Sequence, residues 1–142
     1  MTKVLKSLYL EYLEKFKLMT LATADLSGKP HASSILYVYD EKGDLYFCTL
    51  SDTRKVRNLR EHNRVSVAMA NEQTRIGIQL DGIVEELTEP RAAKIRTNLQ
   101  ARHPDSAPFF DNPLVVTFRL KPEECSLLNF SWGIDFRKRV TL

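Results

Sequence analysis

Thr49, Ser51 and Thr53 place hydroxyls on alternate residues, and the cations Arg54 and Lys55 follow at once. Thr49 closes an apolar, strand-like run, Leu45-Tyr46-Phe47-Cys48-Thr49, and the stretch that follows to Leu59 carries a helical pattern. Cations in the first turn of a helix oppose its dipole, which is positive at that end, and the unpaired N–H groups there need acceptors. An anion lying against the turn removes both difficulties, because it accepts from backbone N–H groups, from the hydroxyls and from Arg54 and Lys55. The pattern reads as a phosphate site, although the full glycine signature of a P-loop is absent. The plainer reading is that Arg54, Lys55, Arg57 and Arg60 form a solvated helix face.

No nucleophile triad, carboxylate pair or metal cluster stands out. Cys48 and Cys125 are far apart and sit in apolar runs, which reads as two core thiols and not as a zinc or redox pair. The chain of 142 residues is expected to form one domain, 1–142, and 43% hydrophobic with 27% charged residues is the composition of an ordinary globule. A net charge of +3 permits an anionic ligand without arguing for nucleic acid. The N-terminus lacks the apolar stretch of a signal peptide, and no run is long enough to cross a bilayer, so a cytoplasmic location is expected.

The elements that must hold this corner follow from periodicity. Val4, Leu5, Leu8, Tyr12, Leu13 and Phe16 recur at helical intervals, giving an amphipathic helix that ends near Lys17. Met19 to Ala24 and His31 to Tyr39 read as paired strands around the turn Asp25 to Pro30, and the turn Asp40 to Asp44 leads into Leu45 to Thr49. Arg64 to Ala70 and Arg75 to Leu87 follow, the second with Gly77 and Gly82 as candidate bulges. Thr88-Glu89-Pro90 starts a helix, with Thr88 as its cap, that runs to about Ala101 and is broken by His103 to Pro108. Leu114 to Leu120 and Cys125 to Phe130 are the last strands, separated by a turn at Lys121-Pro122-Glu123-Glu124. Six to seven antiparallel strands with two or three helices in one domain predict a mainly β fold, a barrel with peripheral helices, because closure removes unprotected edges.

Leu21-Ala22-Thr23-Ala24-Asp25, Gly28-Lys29-Pro30-His31, Leu45-Tyr46-Phe47-Cys48-Thr49, Thr53-Arg54-Lys55 and Asn63-Arg64-Val65-Ser66-Val67 resemble, in order and spacing, the FMN-binding split β-barrel family typified by pyridoxamine 5′-phosphate oxidase. The likeness is strongest from Met19 to Ala70. Beyond it, Thr74 to Gly82 and Arg137-Lys138-Arg139 look most like small, uncharacterised bacterial members of that family. The resemblance implies that Thr49, Arg54 and Lys55, with Ser51 and Thr53 beside them, hold the phosphate of FMN. It implies that the flavin ring lies along Ala32 to Leu36, close to the backbone of Ser33, Ser34, Ile35 and Leu36. Gln79 would stand in for the family's glutamine near the ring, displaced by roughly 7 Å along the strand, and Trp132 would stack on the flavin or plug a dimer interface.

The departures from the family are equally specific. Its second-strand arginine and lysine are replaced by Ser33 and by Tyr37 or Val38, and its substrate-phosphate residues fall on Asn98, Arg102 and Ser106 with the tyrosine missing. Pyridoxamine phosphate is therefore not implied as substrate. What the resemblance implies is an FMN-dependent oxidoreductase acting on a small molecule, a homodimer with its flavin sites at the subunit boundary, in which the flavin carries the hydride chemistry. Tyr37, His31 and His103 are the candidate proton donors, and none is assigned. The alternative is a non-catalytic FMN or haem module, with His31, His62 or His103 as axial ligand. Nucleic-acid binding through Arg54, Lys55, Arg57, Arg60 and Arg64 is disfavoured by the lack of an aromatic cluster beside them, and neither nucleic acid nor membrane is expected as a partner.

Overall fold

Antiparallel hairpins carry the architecture, and the computed structural model describes residues 3–131 and 136–141. In chain order the elements are α1 (Lys3–Glu14), β1 (Leu18–Ala24), β2 (Pro30–Leu36), β3 (Val38–Tyr39), β4 (Leu45–Leu50), α2 (Arg54–Glu61), β5 (Arg64–Asn71), β6 (Ile76–Leu87), α3 (Arg91–Arg102), a 3₁₀ turn (Pro104–Ser106), α4 (Ala107–Phe110), β7 (Val115–Asn129) and β8 (Phe136–Thr141). The sheet order is β2-β1-β5-β6-β7-β4-β3, with β8 paired to β7. Its first and last members, β2 and β3, are consecutive in the chain with only Tyr37 between them. The sheet therefore curls until one bent strand serves both of its ends, as a mainly β, split-barrel fold requires. Met19 pairs with Ile35 on one side of the bend, and Val38 pairs with Tyr46 on the other.

Alternation along the strands sorts the interior from the exterior. Met19, Leu21, Ile35, Leu45, Phe47, Val65, Val67, Met69, Ile78, Leu80, Phe118, Leu120 and Leu127 fill the barrel, and Phe47 stacks on Phe118 with ring centroids 5.3 Å apart. The apolar face of α1, through Tyr9, Leu13 and Phe16, joins this core. Outside the barrel, α3 and α4 bring Leu99 and Phe110 onto Val38 and Cys48. The Tyr9 hydroxyl donates to the Gly43 carbonyl at 2.7 Å. Gly43 is required twice over, since its φ is +92° and a Cβ there would lie 2.5 Å from the Tyr9 ring. Both cysteines are free and buried, and burial pushes the Cys125 thiol up to about 12.

Three sequence expectations need correction. The predicted turn at Lys121 to Glu124 is absent, because β7 runs unbroken through it. Pro122 sits opposite Gly82, where the register of β6 and β7 shifts between Asp81 and Gly82, and such an irregularity is where a strand tolerates proline. A Cβ on Gly82 would approach the Lys121 carbonyl to 2.5 Å, so only glycine lets the strands meet there. The strand predicted from His31 to Tyr39 is broken at Tyr37. Finally, Thr88 does not cap α3 with its side chain. The Glu89 carboxylate accepts from the Ala93 amide at 3.1 Å in that role.

Candidate functional site

Below the bend at Tyr37 the strands β2 and β4 run side by side without pairing, and the seam between them opens into a cavity of about 430 Å³. One wall is Ser34, Ile35 and Leu36, and the facing wall is Cys48, Thr49 and Leu50. Thr53 and Lys55 from the start of α2 close one end, and Leu18, Ser106, Phe109 and Phe110 close the other sides. The split in the barrel is thus the place where predicted strand and helix residues converge.

The helix entrance is built as the cap chemistry requires. Thr53 is extended at the N-cap of α2; its hydroxyl donates to the Leu50 carbonyl at 3.0 Å and accepts from the Val56 amide at 3.4 Å. The Ser51 amide is spent on the Leu114 carbonyl at 2.9 Å. Buried Asn58 donates to Thr23 at 3.1 Å and so fixes α2 against β1. No acid occupies the first turn. Farther along, Arg57 pairs with Asp52 at 3.7 Å, Arg60 with Glu86 at 3.0 Å and Arg64 with Glu123 at 3.0 Å. Arg54 and Lys55 have no carboxylate partner among the described residues. Burial pushes the Lys55 ammonium below the ordinary lysine range. His31 is pushed down by desolvation and then by Arg54 and Lys55, so all three groups share one positive field. Nearby on β2, the Ser33 hydroxyl is buried with no hydrogen-bond partner. Uncompensated cations, helix N–H groups and hydroxyls suit an anion such as phosphate.

On the opposite side of the Tyr37 bend the polar groups are bound to one another, apart from the buried Arg102 Nε, which has no hydrogen-bond partner among the described residues. The Tyr37 hydroxyl, fully buried and with its pKa raised by desolvation, donates to the Leu13 carbonyl at 2.6 Å. Arg102 reaches the Leu13 and Phe16 carbonyls at 3.2 and 2.8 Å and the Glu14 carboxylate at 2.8 Å, with Tyr37 and Tyr39 rings 5.5 and 5.3 Å from its guanidinium. Tyr39 also donates to Glu14. His103 Nε2 lies 2.7 Å from the Tyr37 carbonyl, and since a carbonyl only accepts, this nitrogen carries the proton. Tyr37 and His103, candidate proton donors in the sequence, are bound into structure. His31 alone of the three lies by the cationic end of the seam.

Of the sequence-predicted residues, Ser34, Ile35, Leu36, Thr49, Thr53 and Lys55 line the one cavity. Ser33, Ser51 and Arg54 lie beside it in the chain without forming its lining. Gln79 is on the outer face of β6, in the row Ser34, Thr20, Ala68, Gln79, and lines a separate hollow with Ser66 and Asp81. That row places it about 14 Å from Ser34, three strand spacings away. Trp132 lies outside the described residues. Asn98, Arg102 and Ser106 do not converge: Asn98 lines a hollow with Arg91 and Lys94, Arg102 is committed to α1, and only Ser106 reaches the seam cavity. Phe109 and Phe110 were missed by sequence reasoning, which treats a Pro-bounded segment as a connection.

The chain belongs to the pyridoxamine 5′-phosphate oxidase family, whose model matches residues 5–129. Similar solved structures share its fold at low identity. The haem storage protein HutZ from Vibrio cholerae is 20% identical with a TM-score of 0.72, over 82% of this chain and 89% of that one. A general stress protein 26-related protein from Clostridium acetobutylicum is 16% identical with a TM-score of 0.76, over 100% and 97%. PhzG from Burkholderia lata 383, solved with tetrahydrophenazine-1-carboxylic acid, is 20% identical with a TM-score of 0.71, over 98% and 89%. No curated protein matches the chain.

Proposed function

We propose that this protein is an FMN-binding oxidoreductase that works as a homodimer on a small-molecule substrate, with the flavin phosphate at Thr49, Thr53, Arg54 and Lys55. The observation that carries the reading is the contrast along one short helix. Arg57 and Arg60 pair with Asp52 and Glu86, whereas Arg54 and Lys55, at the cavity end of the helix, have no carboxylate partner among the described residues. The same contrast speaks against a nucleic-acid stripe, which would leave the whole row available.

The donor set fits FMN: hydroxyls and cations at one end for a phosphate, and a strand wall of Ser34 to Leu36 along which a planar ring can approach the main chain. When bound, the flavin supplies hydride transfer. The protein's own residues hold the phosphate, orient the ring against β2 and exclude water through Phe110 and Leu36. No described side chain at the cavity is placed as acid or base. A second copy has a surface available, because Thr20, Ala22, Ser66 and Ala68 put short side chains on the outer face of β1 and β5, three of them exposed and Ala22 half-buried. A cytoplasmic setting accords with two buried, unbridged thiols.

The names of HutZ and of other structural neighbours raise a second reading, haem binding. With His103 committed to Tyr37, the ligand would have to be His31 or His62. One absorption spectrum of the purified protein, with mass spectrometry of the released ligand, separates the two. Flavin bands that bleach on reduction are expected. A Soret band lost on replacing His31 or His62 would overturn the flavin reading, as would a monomer on sedimentation for the dimer.

A further inference from the structure

The seam cavity has two chemically unlike ends. At one lie the hydroxyls of Thr49 and Thr53 and the Lys55 ammonium. At the other lie Phe109, Phe110, Leu18 and Leu36, with no cation among the lining residues there. Two of the large apolar side chains left exposed among the described residues, Leu18 at 54% and Phe109 at 38%, line this cavity, while Val4, Leu26 and Leu114 are exposed elsewhere. The groups that could have brought a second positive charge are Arg96, whose charge reaches the cavity-lining Cys48 but which is paired with Glu89 at 2.7 Å, and Arg102, four residues before Ser106. Arg102 is 13% exposed, and its hydrogen bonds go to Glu14 and to the carbonyls of Leu13 and Phe16.

Building on the flavin reading above, we propose that the apolar end takes an uncharged, ring-bearing substrate and not a phosphate ester, with Phe109 as the specificity-determining contact. A phosphate placed among Phe109, Leu18 and Leu36 would lose water without gaining a donor. A flat apolar ring covers Phe109 and Leu18 and keeps the T-shaped contact of Phe109 with Phe110, whose ring centroids lie 5.5 Å apart. Ser106 supplies one hydroxyl for orientation, enough to position a neutral polar substituent.

The test uses a matched pair, 2-naphthol and 2-naphthyl phosphate, titrated into FMN-loaded protein and followed by perturbation of the flavin absorption spectrum. Naphthol is expected to bind about tenfold more tightly than its phosphate ester. Phe109→Ala should weaken naphthol about fivefold while leaving FMN affinity unchanged, since the side chain is partly exposed and remote from the phosphate end. Naphthyl phosphate binding as tightly as naphthol overturns the proposal, and so does a Phe109→Ala protein with undiminished naphthol affinity. If the wild-type protein takes up no FMN, the flavin reading falls separately, and calorimetry of 2-naphthol on cofactor-free wild-type and Phe109→Ala protein still decides whether Phe109 makes the contact.

Discussion

On the two sides of the Tyr37 bend the molecule places polar groups under opposite conditions. Above it, Arg102, Glu14, Tyr37, Tyr39 and His103 are tied to one another and to α1. Below it, among the described residues, Arg54 and Lys55 have no carboxylate partner and the Ser33 hydroxyl has no hydrogen-bond partner. Partnered polar groups of the first kind rigidify a fold, and unpartnered ones of the second kind cost free energy that a ligand can return. The pair teaches that counting cations near a cavity is uninformative until each has been followed to its acceptor.

The largest expected effect falls on the upper side. Arg102→Ala removes hydrogen bonds from the Leu13 and Phe16 carbonyls and should lower stability by about 3 kcal/mol in urea unfolding, with FMN affinity of the folded protein unchanged. A loss below about 0.5 kcal/mol, the range of ordinary surface substitutions, would show that this cluster does not brace the fold. On the lower side the pattern inverts. Arg54→Ala with Lys55→Ala should cut FMN affinity about tenfold or more, equivalent to about 1.4 kcal/mol, and leave unfolding within about 0.5 kcal/mol of wild type. Equal affinity by titration would move the phosphate elsewhere.

Smaller effects sharpen the contrast. The Lys55 pKa is depressed by burial, and only its protonated form attracts phosphate. FMN affinity should therefore hold at neutral pH and fall as pH rises through that depressed value, before the ordinary lysine range near about 10.4 is reached. Lys55→Arg should abolish the alkaline decline, because a guanidinium keeps its charge. The smallest expected change is in His31, whose pKa is held down by desolvation and then by the nearby cations. In an NMR titration, inorganic phosphate should raise it toward the ordinary value, since a bound anion offsets Arg54 and Lys55. A His31 resonance indifferent to phosphate would place the anion out of its reach.

Much of this organisation is legible in local sequence. Gly28 and Gly43 mark the hairpin turns because both adopt positive φ, and alternation in Arg64 to Ala70 sorts the faces. Thr53 announces the start of α2 through cap chemistry. What escaped depends on partners distant in the chain. Pro122 suggests a turn until Gly82 is found opposite it. Tyr37 interrupts a strand because its hydroxyl is drawn to α1. Arg102 carries a residue type usually found at surfaces, and only the fold shows its guanidinium turned inward.

With a single residue between Leu36 and Val38, the ends of the sheet cannot part there by more than about 7 Å, the reach of two extended residues. The chain is its own clasp. Any opening of the seam is widest at the tips of β2 and β4, where His31 and Leu50 lie, so a guest whose phosphate rests by Arg54 and Lys55 would enter ring-first there and leave phosphate-first.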